Sequence, residues 1–268
     1  MKRRDLFEFE DLPWLPGWLR NLVTDVLREG VVLGGNVYRS VTPVLARIIR
    51  EQRATRVVDL CSGSSGPWVR LKSGLNAQQV DFELVFTDKY PNTPAFQAAV
   101  ARIGDGRTTF VGESIDATTV PPHLTGIRTL FTSFHHLPPR TARRVLQDAY
   151  QQRTSICVFE FTGRTWIPIL LSLLLGPILV WTQVPRLRPL TLRRLLFTYL
   201  VPIAPLVVAW DGVVSNLRTY STGELTDMTR DLASDDYEWD IGQLPRGTRP
   251  GPPVTYLIGH PRVGPGIG

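Results

Sequence analysis

The chain has 268 residues, enough for one large domain or a domain carrying a sizeable insertion. With 43% hydrophobic and 20% charged residues it has an ordinary globular composition, which argues against a disordered or fibrous chain. The net charge of +6 invites a nucleic-acid partner, but many arginines alternate with acids or flank apolar runs, and no Lys/Arg block is mixed with aromatics. An anionic membrane surface suits that distribution better than a nucleic acid does.

The basic start Lys2–Arg4 is followed at once by Asp5, Glu8, Glu10 and Asp11, so no apolar signal-peptide stretch forms and a cytoplasmic location is expected. Residues 13–28 place Leu15, Trp18, Leu19, Leu22, Val23, Val26 and Leu27 at helical spacing on one face. Two readings stand for that helix: it packs on the domain, or it lies at a membrane surface, where Trp14 and Trp18 would sit well. A second helix is expected from Thr42, as cap, to about Gln52.

From there strands and helices alternate. Strands are expected at 55–60, 82–87, 108–112, 128–133 and 155–161, with helices at about 66–73, 93–103 and 139–152. Such alternation predicts a Rossmann-like, doubly wound α/β sheet with ligands at the strands' carboxyl ends. After an interruption at 162–210, Ser221 and Glu224 form a capping-box pattern before the apolar stripe Leu225, Met228 and Leu232. Two closing antiparallel strands follow at 237–242 and 253–259. The domain plan is then an N-terminal amphipathic helical segment (1–35), a core (36–161 and 211–260), an apolar helical insertion after the fifth strand (162–210) and a loose tail (261–268).

Cys61 and Cys157 fall at strand or strand-end positions and read as small apolar residues of a reducing compartment. The four histidines show no zinc spacing, and His135 and His136, adjacent on an expected strand, should point to opposite faces, so no metal is expected.

Residues 56–66, Arg-Val-Val-Asp-Leu-Cys-Ser-Gly-Ser-Ser-Gly, read as a buried strand ending in an acid and entering a glycine-bearing turn. This stretch resembles the first motif of the class I S-adenosylmethionine (AdoMet) methyltransferases of small-molecule type, although Cys61 and Ser65 stand where that family commonly has Gly. The resemblance covers roughly 36–161 and 217–260. It implies AdoMet as cofactor and an enzyme that transfers its methyl group by in-line displacement. It also implies a cofactor set of Tyr38, Asp59, Cys61, Gly63, Asp88, Asp116 and Ser133. Asp88, ending Val-Phe-Thr-Asp, would take both ribose hydroxyls, and Asp116 the adenine amino group. Tyr38 would cover the cofactor. In Phe-Thr-Ser-Phe-His-His-Leu-Pro, either His135 or His136 would act as base or position substrate. Glu160 and Tyr220 are the candidate substrate-binding residues.

Thr165–Pro185 holds no charged residue, and Leu195–Trp210 repeats this at shorter length. Pro168, Gly176 and Pro177 are expected to break the first run into pieces too short to span a bilayer. The linker arginines Arg186, Arg188, Arg193 and Arg194 also oppose a spanning hairpin. A monotopic hairpin on the inner face of the membrane, a lid over a lipophilic substrate, and a homodimer interface or extra core all remain open. Three rival functions stay beside methyl transfer: a catalytically silent AdoMet-fold scaffold, a nucleic-acid methyltransferase, and a nicotinamide-dependent oxidoreductase.

Overall fold

The computed structural model describes residues 1–33, 37–245 and 253–262. Four short β-branched runs form the parallel heart of the sheet: β1 (Arg56–Asp59), β2 (Glu83–Phe86), β4 (Ile127–Phe131) and β5 (Ile156–Glu160). Their near-continuous burial is that of strands covered on both faces. With β3 (Thr108–Phe110), β6 (Tyr237–Leu244) and β7 (Val254–Pro261) they make a seven-stranded sheet in the order β3-β2-β1-β4-β5-β7-β6. Only β7 runs against its neighbours, pairing antiparallel with both β5 and β6. The sheet and its closing strand pair are those the sequence predicts.

Helices α2 (Val41–Glu51), α3 (Trp68–Asn76) and α4 (Thr93–Ile103) bury Val41, Leu45, Trp68, Leu71 and Phe96 with strand residues such as Val57, Leu84 and Phe159. On the opposite face α5 (Pro139–Gln151) and α9 (Thr222–Thr229) bury Val145, Leu146 and Leu225 with Val58, Leu130 and Val158. The α5 stripe Ala142, Val145, Leu146 and Ala149 is wholly buried, as its spacing requires. Ser221 and Glu224 form the expected capping box.

Two boundary differences bear on the site. Thr42 is not a cap: α2 begins at Val41, and Thr42 packs inside, against Gly74. The fourth strand stops at Phe131 instead of Ser133, because Thr132 takes a positive φ of 45° and turns the chain into the 3-10 turn Phe134–His136. Most of the tail, residues 263–268, lies outside the described residues.

The insertion corrects the sequence reading most. Instead of broken pieces, Trp166–Gln183 is one continuous helix, α6. Pro168 sits in its first turn, where no backbone N–H is needed, and Pro177 is carried inside it. Trp166–Arg186 is long and apolar enough to cross a membrane, with a mean hydropathy of 2.0 and most of its residues not buried. The chain returns through α7 (Leu192–Leu195), a π turn at Leu196–Leu200, and α8 (Ile203–Arg218). Small residues let α6 and α8 approach closely: a Cβ on Gly212 would meet Ser172 at 3.1 Å, and one on Gly176 would meet Ala209 at 3.4 Å. Helix α1 (Gly17–Leu33) packs Leu19, Leu22, Val23 and Val26 against Val180, Val184, Ala204 and Val208 of this hairpin. Its apolar face therefore covers the insertion.

Candidate active site

The site is built at the carboxyl ends of β1, β2, β4 and β5. Asp59 ends β1 nearly buried, its carboxylate accepting Ser62 Oγ at 2.7 Å and Thr129 Oγ1 at 2.7 Å. Burial pushes its pKa up to about 6, with those hydrogen bonds pulling the other way. Asp59 thus braces the turn after β1 rather than facing a ligand. Cys61 (φ 53°), Gly63 (φ 53°), Ser65 (φ 70°) and Gly66 (φ 46°) all lie in the left-handed region. The two positions that depart from the family's glycines therefore keep the glycine-type backbone, and the turn retains its shape at the expense of strain at Cys61 and Ser65. Burial raises the Cys61 thiol further, so it stays protonated.

Asp88 lies where the chain leaves β2. Its Oδ2 accepts the Gly63 amide at 2.8 Å and its Oδ1 accepts the Tyr90 amide at 2.8 Å. A carboxylate offers about four acceptor sites, so each oxygen keeps one for a vicinal diol. Asp116 is tied to this corner: Asp88 O accepts the Ile115 amide at 2.9 Å, and Lys89 Nζ reaches Asp116 at 3.1 Å. Hydrogen bonds from Thr118 lead the causes that hold the Asp116 carboxyl below its usual range. A Cβ on Gly63 would meet nothing within 4 Å, which marks open ground above the turn. Ser133 Oγ is buried with no hydrogen-bond partner among the described residues. These residues fit a nucleoside ligand: an acid for the ribose, a second acid beside it, an open turn and an unmatched hydroxyl.

At the end of β4 the turn Phe134–His136 is pinned by Glu160 of β5. Glu160 Oε1 accepts the Phe134 amide at 2.7 Å, and Oε2 accepts His135 Nδ1 at 2.6 Å. Burial favours the neutral acid, but the charge and hydrogen bond of His135 outweigh it, and the Glu160 pKa falls below its ordinary value. Glu160 thus anchors the ring through Nδ1, leaving Nε2 as its second nitrogen. That nitrogen is buried without a hydrogen-bond partner, in a side chain 1% exposed.

His136 differs. Burial opposes its charge, but Glu8 at 3.2 Å and Asp11 at 2.9 Å prevail and raise its pKa to about 10. A ring that stays protonated is a poor proton acceptor near neutral pH. The two rings do not point to opposite faces as expected of strand neighbours; on the 3-10 turn their centroids are 4.4 Å apart. Donor atoms of Glu8, His135 and His136 all lie within 4.8 Å of one another, a set that can hold a cation. The Arg218 guanidinium, 3.3 Å from Glu8, holds the positive charge there.

Besides Asp59 and the histidine pair, three further sequence expectations are corrected. Tyr38 does not cover the cofactor ground: its ring is buried between Phe131 and Phe161, and its hydroxyl meets Thr132. Glu160 is committed to the His135 turn and is not open to substrate. Tyr220 is buried, its hydroxyl donates to Leu137 O at 2.6 Å, and burial pushes its pKa up to about 12. It supports the turn from below.

The acids at residues 8–11 and the pair Asp211 and Arg218 had no sequence signal beyond their charge. Asp211 accepts the amides of Phe9 at 2.8 Å and Glu10 at 3.2 Å. Burial pushes Glu10 up to about 8 and Asp211 up to about 7.

The folded state therefore holds a proton on Glu10 between about pH 4.5 and 8, and one on His136 between about 6.5 and 10. The unfolded chain releases both earlier, so stability falls as pH rises through this window. The His136 contribution is complete below about 6.5 and lost through 10. The melting temperature should decline steadily from pH 7 to 10; a flat profile by calorimetry contradicts this charge arrangement.

No protein-family model matches the chain, and no curated protein matches it significantly. Among solved structures it is similar to PigF with SAH, at 15% identity over 96% of this chain and 63% of that one, with a TM-score of 0.52. An O-methyltransferase family protein from Burkholderia thailandensis is similar at 16% identity, over 90% and 60%, with a TM-score of 0.50. The plantazolicin methyltransferase BpumL in complex with SAH is similar at 8% identity, over 91% and 96%, with a TM-score of 0.50. The chain spans about six-tenths of the first two. At these identities the likeness defines the fold: the chain has the fold of the AdoMet-dependent methyltransferases, with a Rossmann-like sheet and a closing antiparallel pair.

Proposed function

We propose that the protein is an AdoMet-dependent methyltransferase acting on a lipophilic small molecule at a membrane surface. The observation that carries the catalytic part is the buried His135–Glu160 pair, 2.6 Å apart, at the strand ends that also carry Asp88 and the Gly63 turn. AdoMet would supply an electrophilic sulfonium methyl. Asp88 would hold the ribose hydroxyls and Asp116 the adenine amino group, with the buried Ser133 Oγ as a further candidate donor. His135 Nε2 takes the proton from a hydroxyl or amine nucleophile, and Glu160 fixes the ring and stabilises the imidazolium that forms. Alignment of nucleophile and methyl supplies much of the rate.

The insertion supports the lipophilic part. Trp166, Leu173, Leu174, Leu192, Leu200 and Leu206 are each more than half exposed, a concentration of uncovered large apolar side chains of the kind that marks an interaction surface. Residues 165–210 contain four arginines and no acid; Arg194 pairs with Asp25 of α1 at 3.0 Å, and Arg186 and Arg188 of the linker suit anionic lipid. Helix α1, with Arg20, Asp25 and Arg28, packs along the same hairpin, so one side is charged and the other apolar. That one-sidedness favours a hairpin lying in the interface over one that crosses it.

Incubation of the protein with methyl-labelled AdoMet and a membrane lipid extract tests the reading. Label should move into the organic phase. Label retained wholly in the aqueous phase, by protein that binds AdoMet, would leave the silent scaffold as the better reading.

A further inference from the structure

The base proposed above is sealed. His135 is 1% exposed, and neither the recess lined by Asn76, Asp81 and Arg107 nor the one lined by Thr226, Arg230 and Trp239 reaches it. A side chain that must touch substrate needs a way in, and the segment lying on it is the N-terminal strap, residues 3–12. Glu8 of the strap is fully buried, with Oε1 4.0 Å from His135 Nε2.

The strap is fastened to the last turns of α8 and to the histidine turn. Arg4 N donates to Leu217 O at 3.1 Å, Arg3 Nε to Arg218 O at 2.7 Å, and Ser215 Oγ to Glu8 at 3.1 Å. The amides of Phe9 and Glu10 close on Asp211, and Arg218 clasps Glu8 and Asp11. Its fastenings are thus chiefly polar and charged: Glu8 is buried, Phe9 and Glu10 are half-buried, and Arg4 to Phe7 and Asp11 are exposed. Lifting Glu8 strands the buried Arg218, which keeps the strap shut in water unless another surface compensates.

The outer side of the strap is the reverse. Leu6 is 42% exposed, Phe7 51%, and Trp14, just beyond, 68%. Phe7 packs on Trp210 of α8 at 5.5 Å, and Trp210 Nε1 donates to Phe7 O at 2.9 Å. Trp210 belongs to the exposed apolar face of the insertion, so the strap extends that face to the lip of the site.

We propose that residues 3–12 are a strap released by an anionic lipid surface: docking of the insertion on the bilayer draws Leu6, Phe7 and Trp14 into the interface and lifts Glu8 from His135. The apolar acceptor then reaches His135 from the lipid side, and the charged cluster closes the site again in water. The lipid surface is chosen over another protein because Trp14, Trp166 and Trp210 are among the exposed apolar residues and the linker supplies Arg186 and Arg188 with no acid among residues 165–210. The inference rests on the methyltransferase reading for the purpose of the opening, though not for the opening itself.

Hydrogen exchange of the whole protein tests it, read at the Phe9 and Glu10 amides with and without phosphatidylglycerol-containing vesicles at saturating binding. Exchange there should speed by about tenfold or more on vesicles, while the β4 and β5 amides stay protected. The variant Phe7→Asp should still bind AdoMet, as a check on its fold, and should lose most of the acceleration. Unchanged exchange on vesicle-bound protein overturns the proposal. So does failure to co-sediment with vesicles, and a stable dimer in that case would assign the apolar face to a second copy of the chain. AdoMet titration of the same samples reports on the cofactor site separately, so failure of the strap and failure of the methyltransferase reading are told apart.

Discussion

Replacement of His135 by alanine should lower the rate of methyl transfer by about a hundredfold to ten-thousandfold while leaving AdoMet affinity within about threefold of wild type. The expectation follows from the different situations of the two neighbouring rings. His135 has a carboxylate on Nδ1 and an unmatched Nε2, the arrangement a general base requires. His136 is held charged by Glu8 and Asp11. His136→Gln should therefore cost far less in rate per enzyme molecule than His135→Ala. Equal losses in the two variants, with both folded, would mean that the turn is structural and that proton removal happens elsewhere.

Asp88→Ala should weaken AdoMet binding by about a hundredfold. Two charge-assisted hydrogen bonds to a ribose contribute about 1.5 to 3 kcal/mol each before losses of geometry. The alanine also frees the Gly63 amide that Asp88 now holds at 2.8 Å, so the turn loses its brace along with the ligand's partner. Asp116→Ala should do less, since Asp116 is partly occupied by Thr118 and Lys89. Isothermal titration of the variants reads both, and an unaltered affinity in Asp88→Ala would move the cofactor away from β2.

How much of this was legible in the residues follows their physics. The sheet was: short β-branched runs between amphipathic helices leave few other arrangements, and Ser221–Glu224 announced the start of α9. The Gly63 turn and Asp88 were legible because strand-end acids and glycines are local signals. The helix α6 was misjudged because prolines were weighed by their propensity alone. Pro168 sits in the first turn, and packing with Ala209 and Val208 around Gly176 carries Pro177. Tyr38, Glu160 and Tyr220 were assigned by position along the chain. Which way each side chain turns depends on partners such as Thr132, His135 and Leu137 that sequence spacing does not reveal. Least legible was the strap. Glu8 meets Arg218 across 210 residues of chain, and nothing local to either announces the other. The same distance effect decided between His135 and His136, since Glu8 and Asp11 come from the far end of the chain.

The most direct test of the central claim is a calorimetric titration of the wild-type protein with AdoMet, run beside NAD. Saturable binding in the micromolar range by AdoMet, with no heat of binding from NAD, is the predicted result. A folded protein that takes up no AdoMet would contradict the account and leave the Gly63 turn and Asp88 as the remains of a different cofactor site.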